Sequence, residues 1–137
     1  MNLLLEIITP EKVVYKDEVE EIVVPTINGE IAILPNHVGL LTQVTPGELI
    51  IKKGSSQQYL AITGGFLEVA DNKISILADY AIKAQDIEIA KAQEAKKRAE
   101  KLMEEKTSDN DLKIAQGEMI KAILELKVAT KHKRRVI

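Results

Sequence analysis

The sequence predicts an α+β protein of two domains, an N-terminal antiparallel β-sandwich over residues 1–84 and a C-terminal antiparallel α-helical hairpin over residues 85–137. Three observations carry this. All four prolines and six of the seven glycines lie before residue 85, and both residue types punctuate turns and are kept out of helix interiors. Residues 1–84 hold six Lys/Arg against eleven Asp/Glu, a net of −5, whereas residues 85–137 hold thirteen against ten, a net of +3. The apolar pattern also changes, from short runs and alternation to a spacing of three and four.

The strands follow in order. Short apolar or alternating runs cover Leu3–Ile8, Val19–Val24, Gly29–Leu34, Leu40–Val44, Leu49–Lys52, Tyr59–Thr63, Phe66–Val69 and Ile74–Leu77. Turn signals separate most of them: Asn28-Gly29, Thr45-Pro46-Gly47, Gly54-Ser55-Ser56 and Asp71-Asn72. Asn-Gly suits a type I′ hairpin because both residues tolerate positive φ. Many short strands without helical periods between them imply an antiparallel sandwich or barrel. About 80 residues bury a modest core without staples.

Two helices follow. Asp86 is placed to cap the first, with Glu88 in its opening turn favoured by the helix dipole. Ala84, Glu88, Ala92, Ala95, Ala99 and Leu102 form a narrow stripe made almost wholly of alanine. The run Thr107-Ser108-Asp109-Asn110-Asp111 breaks the pattern, and Ser108 is the natural cap of the second helix, with Asp111 three residues on. Its stripe is Leu112, Ala115, Met119, Ala122, Leu126 and Ala129. Such seams allow close approach but bury little area, so at ~25 cal/mol per Å² the hairpin is only marginally stable by itself. A hairpin so held is able to leave its resting place.

The inventory excludes several functions. No cysteine is present, which removes disulfide frameworks, thiol catalysis and Cys-bound zinc. Two histidines, His37 and His132, cannot make a three-histidine metal site. Tyr15, Tyr59, Phe66 and Tyr80 are the only aromatics, too few for the platforms that stack single-stranded nucleic acid. No run approaches the ~18 apolar residues that span a bilayer, and Met1-Asn2-Leu3-Leu4-Leu5-Glu6 lacks the basic region of a signal peptide. A cytoplasmic protein that binds no nucleic acid is the expectation.

No catalytic constellation emerges. Gly64-Gly65 is followed by neither phosphate-binding glycine motif, and reads as a strand bend or bulge. His37, in Leu34-Pro35-Asn36-His37-Val38-Gly39, reads as a loop residue at an interface or capping a turn. The basic stretch Lys131-His132-Lys133-Arg134-Arg135 suits a helix C-terminus, and also an acidic protein surface or phosphates. Glu88 and Lys91 on the first helix and Lys121 on the second are charges able to meet a nucleotide. The residues alone favour surface salt bridges, worth under ~1 kcal/mol each.

Certain motifs resemble a known family. Gly29-Glu30-Ile31-Ala32-Ile33-Leu34-Pro35-Asn36-His37-Val38-Gly39-Leu40-Leu41-Thr42 is similar to the signature of the epsilon subunits of the bacterial F-type ATP synthase, as are Gly64-Gly65-Phe66-Leu67-Glu68-Val69 and Ile74-Ser75-Ile76-Leu77-Ala78-Asp79. Val24-Pro25 and Asp86-Ile87-Glu88 fall where that family has similar residues, and the likeness runs along essentially the whole chain. The resemblance implies a non-catalytic rotor subunit of the central stalk of a proton-translocating enzyme, peripheral on the cytoplasmic face of the cell membrane and touching that membrane only through the complex. It implies a sandwich docked on the gamma subunit and the rotor ring of c subunits, with Glu30 and His37 on the ring side. It further implies a hairpin that folds down or extends into the alpha/beta ring and inhibits ATP hydrolysis, with Lys127, Lys131, Lys133, Arg134 and Arg135 meeting acidic beta-subunit loops.

Some family members bind ATP through Ile/Leu-Asp-x-x-Arg-Ala; the matching stretch here is Ile87-Glu88-Ile89-Ala90-Lys91-Ala92. The two arginines that the family has on its second helix align with Lys121 and Glu125. Lysine does not reproduce the planar fork of arginine. No cofactor is required on this reading, and ATP is at most a weak regulatory ligand at Glu88, Lys91 and Lys121. Two rival functions are a free-standing β-sandwich that binds a ligand in an apolar pocket, and a small hydrolase or metalloenzyme, for which the chain supplies no nucleophile or ligand cluster.

Overall fold

Leu3, Leu5 and Ile7 alternate with more exposed residues along the first strand and are completely buried, the period-two pattern of a sheet with one face in a core. In the computed structural model, which describes residues 2–105 and 108–133, this pattern repeats through ten strands. They are β1 (Leu3–Ile8), β2 (Val13–Val19), β3 (Glu21–Thr26), β4 (Gly29–Ile33), β5 (Leu40–Val44), β6 (Gly47–Lys53), β7 (Ser56–Ile62), β8 (Gly65–Ala70), β9 (Lys73–Ala78) and β10 (Ala81–Lys83). A short 3₁₀ turn (Ala84–Asp86), α1 (Ile89–Glu104) and α2 (Asp109–Lys133) follow.

The strands run in the order β10-β7-β6-β3-β5-β8-β9-β1-β2, with β4 on the other side of β3. The path narrows to a single register pair, Thr26 with Val44, between β3 and β5. This divides the sandwich into two layers of five. Every strand contributes to the one apolar core, from Leu3 on β1 to Ala81 on β10. All pairs are antiparallel except β1 with β9, which run parallel, Leu5 beside Ile74 and Ile7 beside Ile76. At a second corner the Glu20 amide donates to the Lys52 carbonyl at 2.9 Å, and Lys53 pairs with Asp17. The Lys53 ammonium and the Glu18 amide hold the Asp17 carboxyl below its usual range.

Two strands differ from the sequence reading. The sequence reads Val19–Val24 as one run and no strand between Ile8 and Val19, because Lys16, Asp17 and Glu18 break the apolar alternation, whereas Val19 ends β2 and β3 begins at Glu21. β2 forms because Tyr15 and Val19 reach the core while Lys16 and Glu18 stand on the opposite, exposed face beside β1, and Asp17 pairs with Lys53. β10 is three residues long and too short to carry a periodic signal. The turns also sort themselves. Asp71 and Asn72 both take positive φ, 51° and 62°, so they form the type I′ turn between β8 and β9. At Asn28-Gly29 only Gly29 does, with φ 98°, and Ile27 and Asn28 make the two-residue loop that Thr26 and Gly29 close. The Thr26 hydroxyl fixes this turn, accepting from the Asn28 amide and donating to the Gly29 carbonyl at 2.7 Å.

Tyr15 is buried in this core, and among the described residues its hydroxyl has no hydrogen-bond partner. Burial, with the Asp17 carboxylate adding to it, pushes the phenol's pKa up. Tyr15→Phe therefore removes no intramolecular hydrogen bond and is expected to leave the melting temperature unchanged or raise it, by at most ~1 kcal/mol of stability. A loss of more than that in thermal unfolding would show that the hydroxyl is held.

The chain divides into two compact units, Met1–Lys83 and Ala84–Ile137. In the second, Ala92, Ala99, Ala115, Ala122 and Ala129 are buried along the seam between α1 and α2, and Val128 joins them. Leu102, expected on the stripe, is 39% exposed. The Ser108 hydroxyl accepts from the Asp111 amide at 3.2 Å and caps α2. The cap of α1 is Glu88 rather than Asp86, since the fully buried Ile87 closes the preceding 3₁₀ turn on the Ala84 carbonyl and helical bonding starts at the Glu88 carbonyl.

Candidate functional site

Glu30 is the second residue of β4, exposed and opposite Pro25. His37 lies in the loop that joins β4 to β5. Asn36 turns this loop with φ 69° and donates its amide to the Asn72 side-chain oxygen at 2.6 Å. The His37 amide closes back on the Leu34 carbonyl, and its ring Nδ1 lies 2.7 Å from the Val38 carbonyl. His37 thus serves its own turn. Glu30 and His37 are not joined by any hydrogen bond or ion pair shown among the described residues, and a strand's rise of ~10 Å separates Glu30 from the end of β4. Apolar side chains flank them: Ile27, Leu34 and Val38 are 58%, 51% and 77% exposed.

Gly64 and Gly65 make the strand bend that the sequence indicates, with φ 141° and 132°. Gly65 is squeezed between β5 and β9, opposite Val44 and Ala78. The bend sets the start of β8, and with it a surface that the sequence does not reveal. Phe66, Leu77 and Val13 stand more than half exposed, and the partly buried Ile8 lies between Leu77 and Val13. Register places them side by side across four strands: Phe66 by Leu77, Leu77 by Ile8, and Ile8 by Val13. In the sequence Ile8, Phe66 and Leu77 belong to apolar runs that look like core, and Val13 to none; only the register shows that they share the outer face. Contiguous exposed apolar rows of this kind mark protein contacts.

In the helical unit, the Lys91 ammonium lies 3.1 Å from the Glu88 carboxylate, both largely in solvent. The structure brings these two together as an i,i+3 surface pair, the bland alternative that the residues favour. Lys121 is half-buried on α2. Lys127 and Lys131 are exposed and one helical turn apart. Lys133 is the last residue of α2, while Arg134 and Arg135 lie outside the described residues. Among the described residues, no group of His, Cys, Asp or Glu that could hold a metal is found, and no helix among them is long and apolar enough to cross a membrane.

A sandwich with a partly apolar outer face, followed by a slender hairpin of largely exposed charge, defines a protein built for contacts with other chains. Comparison with known proteins makes this specific. The chain belongs to the ATP synthase delta/epsilon chain family: the model of its β-sandwich domain matches residues 2–84 and that of its long α-helix domain residues 85–130. It is 43% identical over 134 residues to the ATP synthase epsilon chain of Dehalococcoides mccartyi, covering 97% of this chain and 96% of that one. With the epsilon chain of Herpetosiphon aurantiacus it shares 41% over 136 residues, 98% and 99% of the two chains. Among solved structures, it resembles a chain of the mitochondrial ATP synthase of Euglena gracilis (OSCP/F1/c-ring) with a TM-score of 0.73 at 24% identity, covering 96% of this chain and 82% of that one. Membership makes it an epsilon-type chain of an ATP synthase rather than an enzyme in its own right.

Proposed function

We propose that this chain is a non-catalytic central-stalk subunit of a proton-translocating F-type ATP synthase, peripheral on the cytoplasmic face of the membrane, coupling the catalytic head to the rotor ring and restraining ATP hydrolysis through its helices. The observation that carries this is the agreement of both units, in order, with the two domain models of the family. On this reading the sandwich anchors to the gamma subunit and the ring of c subunits. The exposed apolar row of Phe66, Leu77 and Val13 suits a lasting subunit contact, and Glu30 and His37 face the ring. Lys127, Lys131 and Lys133, followed by Arg134 and Arg135, provide positive charge for acidic beta-subunit loops within the alpha/beta ring. The deciding experiment is removal of the helical unit from the assembled complex, followed by measurement of ATP hydrolysis.

ATP is a weak regulatory ligand at most in this proposal. Glu88 and Lys91 already neutralise each other at 3.1 Å, and neither matches the Asp and Arg of the ATP-binding pattern. Losing one charge-assisted hydrogen bond costs ~1.5–3 kcal/mol, roughly ten- to a hundredfold in affinity. Calorimetric titration of the isolated chain with ATP should show weak binding or none, and the pair of substitutions Lys91→Arg and Glu125→Arg should tighten it. Micromolar binding by the natural sequence, abolished by Lys91→Ala, would establish a working site with Lys91 on a phosphate.

A further inference from the structure

Ile120 lies on the side of α2 away from the seam, ~160° around the helix from the buried Ala122, and Ile123 stands beside it one turn on. The two are 51% and 47% exposed. Lys113 and Lys127 come seven positions before and after Ile120, and Lys131 follows one turn beyond Lys127, so all three lysines share its side of the helix. All three are exposed. The carboxylates keep off this side. Glu118 and Glu125, the acidic residues of α2 beyond its first turn, lie ~140–160° around the helix from Ile120.

Single exposed apolar residues are ordinary on a protein surface. A neighbouring pair bracketed by lysines, with the acids turned away, is a pattern. Folding of the hairpin does not require it, because the seam of Ala115, Ala122 and Ala129 lies on the other side of α2. The outer side is therefore presented while α1 and α2 remain packed.

We propose that Lys113, Ile120, Ile123, Lys127 and Lys131 form one docking face of α2, and that its occupant is a groove of the alpha/beta ring with an apolar floor and acidic walls. The occupant rests on the proposed function, which gives Lys127 and Lys131 to that ring. What is added is Lys113, and the two isoleucines as anchors. A helix seated in a groove is held through side chains at i, i+3, i+4 and i+7, and Ile120, Ile123 and Lys127 keep that spacing. Charge selects the occupant. The α2 of a second copy would bring like charge against these lysines. An anionic bilayer calls for a broad apolar face, rich in Trp, Phe or Leu, whereas α2 has no Trp, Tyr or Phe and shows two isoleucines here. Ile114 is equally exposed, at 54%, but stands ~120° around the helix from Ile120 and one turn before Glu118. It lies outside the face.

The test uses the assembled complex with the full-length chain, and reads ATP hydrolysis at low and raised salt. Ile120→Gln combined with Ile123→Gln is expected to raise hydrolysis roughly twofold or more, toward the rate of a complex whose chain ends at residue 84. Glutamine is at least as good a helix former as isoleucine, so helix content and melting should not change. Ile114→Gln removes an equally exposed side chain and should leave the rate as it is. Lys113→Gln should raise the rate and make it less sensitive to salt. A rise on truncation with none in the double variant would overturn the face and leave the proposed function standing. No rise on truncation would overturn the restraint of hydrolysis, and the occupant with it. Equal release by Ile114→Gln would show that the contact does not follow this face. Sedimentation of the free chain with phosphatidylglycerol vesicles, abolished by the double substitution, would give the face to a membrane and overturn the occupant named here.

Discussion

ATP hydrolysis by the assembled complex is expected to rise severalfold when the chain ends at residue 84, with the complex still intact. The physical reason lies in the helical unit. Its seam is made mostly of Ala92, Ala99, Ala115, Ala122 and Ala129, with Val128 beside them, and an alanine buries a single methyl group, worth ~0.8 kcal/mol. Helix hairpins held this lightly exchange between packed and unpacked states, unlike a sandwich whose core includes completely buried Leu5, Ile22, Leu49, Leu60, Leu67 and Ile76. On the proposed function, the basic side chains beyond Lys127 would then find acidic partners by charge, a contact that raised salt should weaken. Added salt should accordingly relieve part of the inhibition in the full-length complex and change little in the truncated one. Equal hydrolysis rates with and without residues 85–137, at low and high salt, would remove inhibition from the function of this chain.

Gly65→Ala is expected to be the most damaging single-methyl change in the sandwich. A Cβ at this position would lie 2.0 Å from the Leu77 carbonyl oxygen and 2.8 Å from the Ala78 Cα. Both are backbone atoms of the neighbouring strand and cannot step aside as a side-chain tip would. The φ of 132° adds strain of its own. Strain of ~1–3 kcal/mol and overpacking of ~1–3 kcal/mol together approach the marginal stability of a small domain. At ~4–8 °C per kcal/mol, the melting temperature should fall by more than ~10 °C. Gly54→Ala is the matched control. Its φ is 61° and its added methyl group meets nothing within 4 Å, so it should cost only ~1 kcal/mol. Equal thermal shifts for the two variants would show that β9 moves to make room.

Much of this protein is legible in local sequence because its causes are local. Leu3, Leu5 and Ile7 announce a half-buried strand by alternation alone, Asp71-Asn72 a tight turn by their tolerance of positive φ, and Ser108 with Asp111 a helix start. The alanine stripes foretell a thin helical seam, and the motif from Gly29 to Thr42 points to the family. Where two local signals compete, the tertiary structure chooses. Asp86 is as good a cap as any by composition, yet burial of Ile87 commits the chain to a 3₁₀ turn and moves the helix start to Glu88.

By itself, then, the sequence determined the two domain classes, most of the elements, the charge contrast between the halves and the family. The tertiary structure alone decided what depends on residues far apart in the chain meeting at one register. The parallel pairing of β1 with β9 joins residues some seventy positions apart and leaves no mark in either segment. The exposure of Phe66, Leu77 and Val13 follows from which face each strand presents once paired. That the amides of Glu30 and Ala32 turn away from β3 follows from the register of β4, in which Glu30 stands opposite Pro25 and Ala32 opposite Val23. Periodicity tells which residues share a face, because side chains alternate along one strand; only pairing tells which face is covered and which edge is left open, because the hydrogen bonds that decide it run between strands.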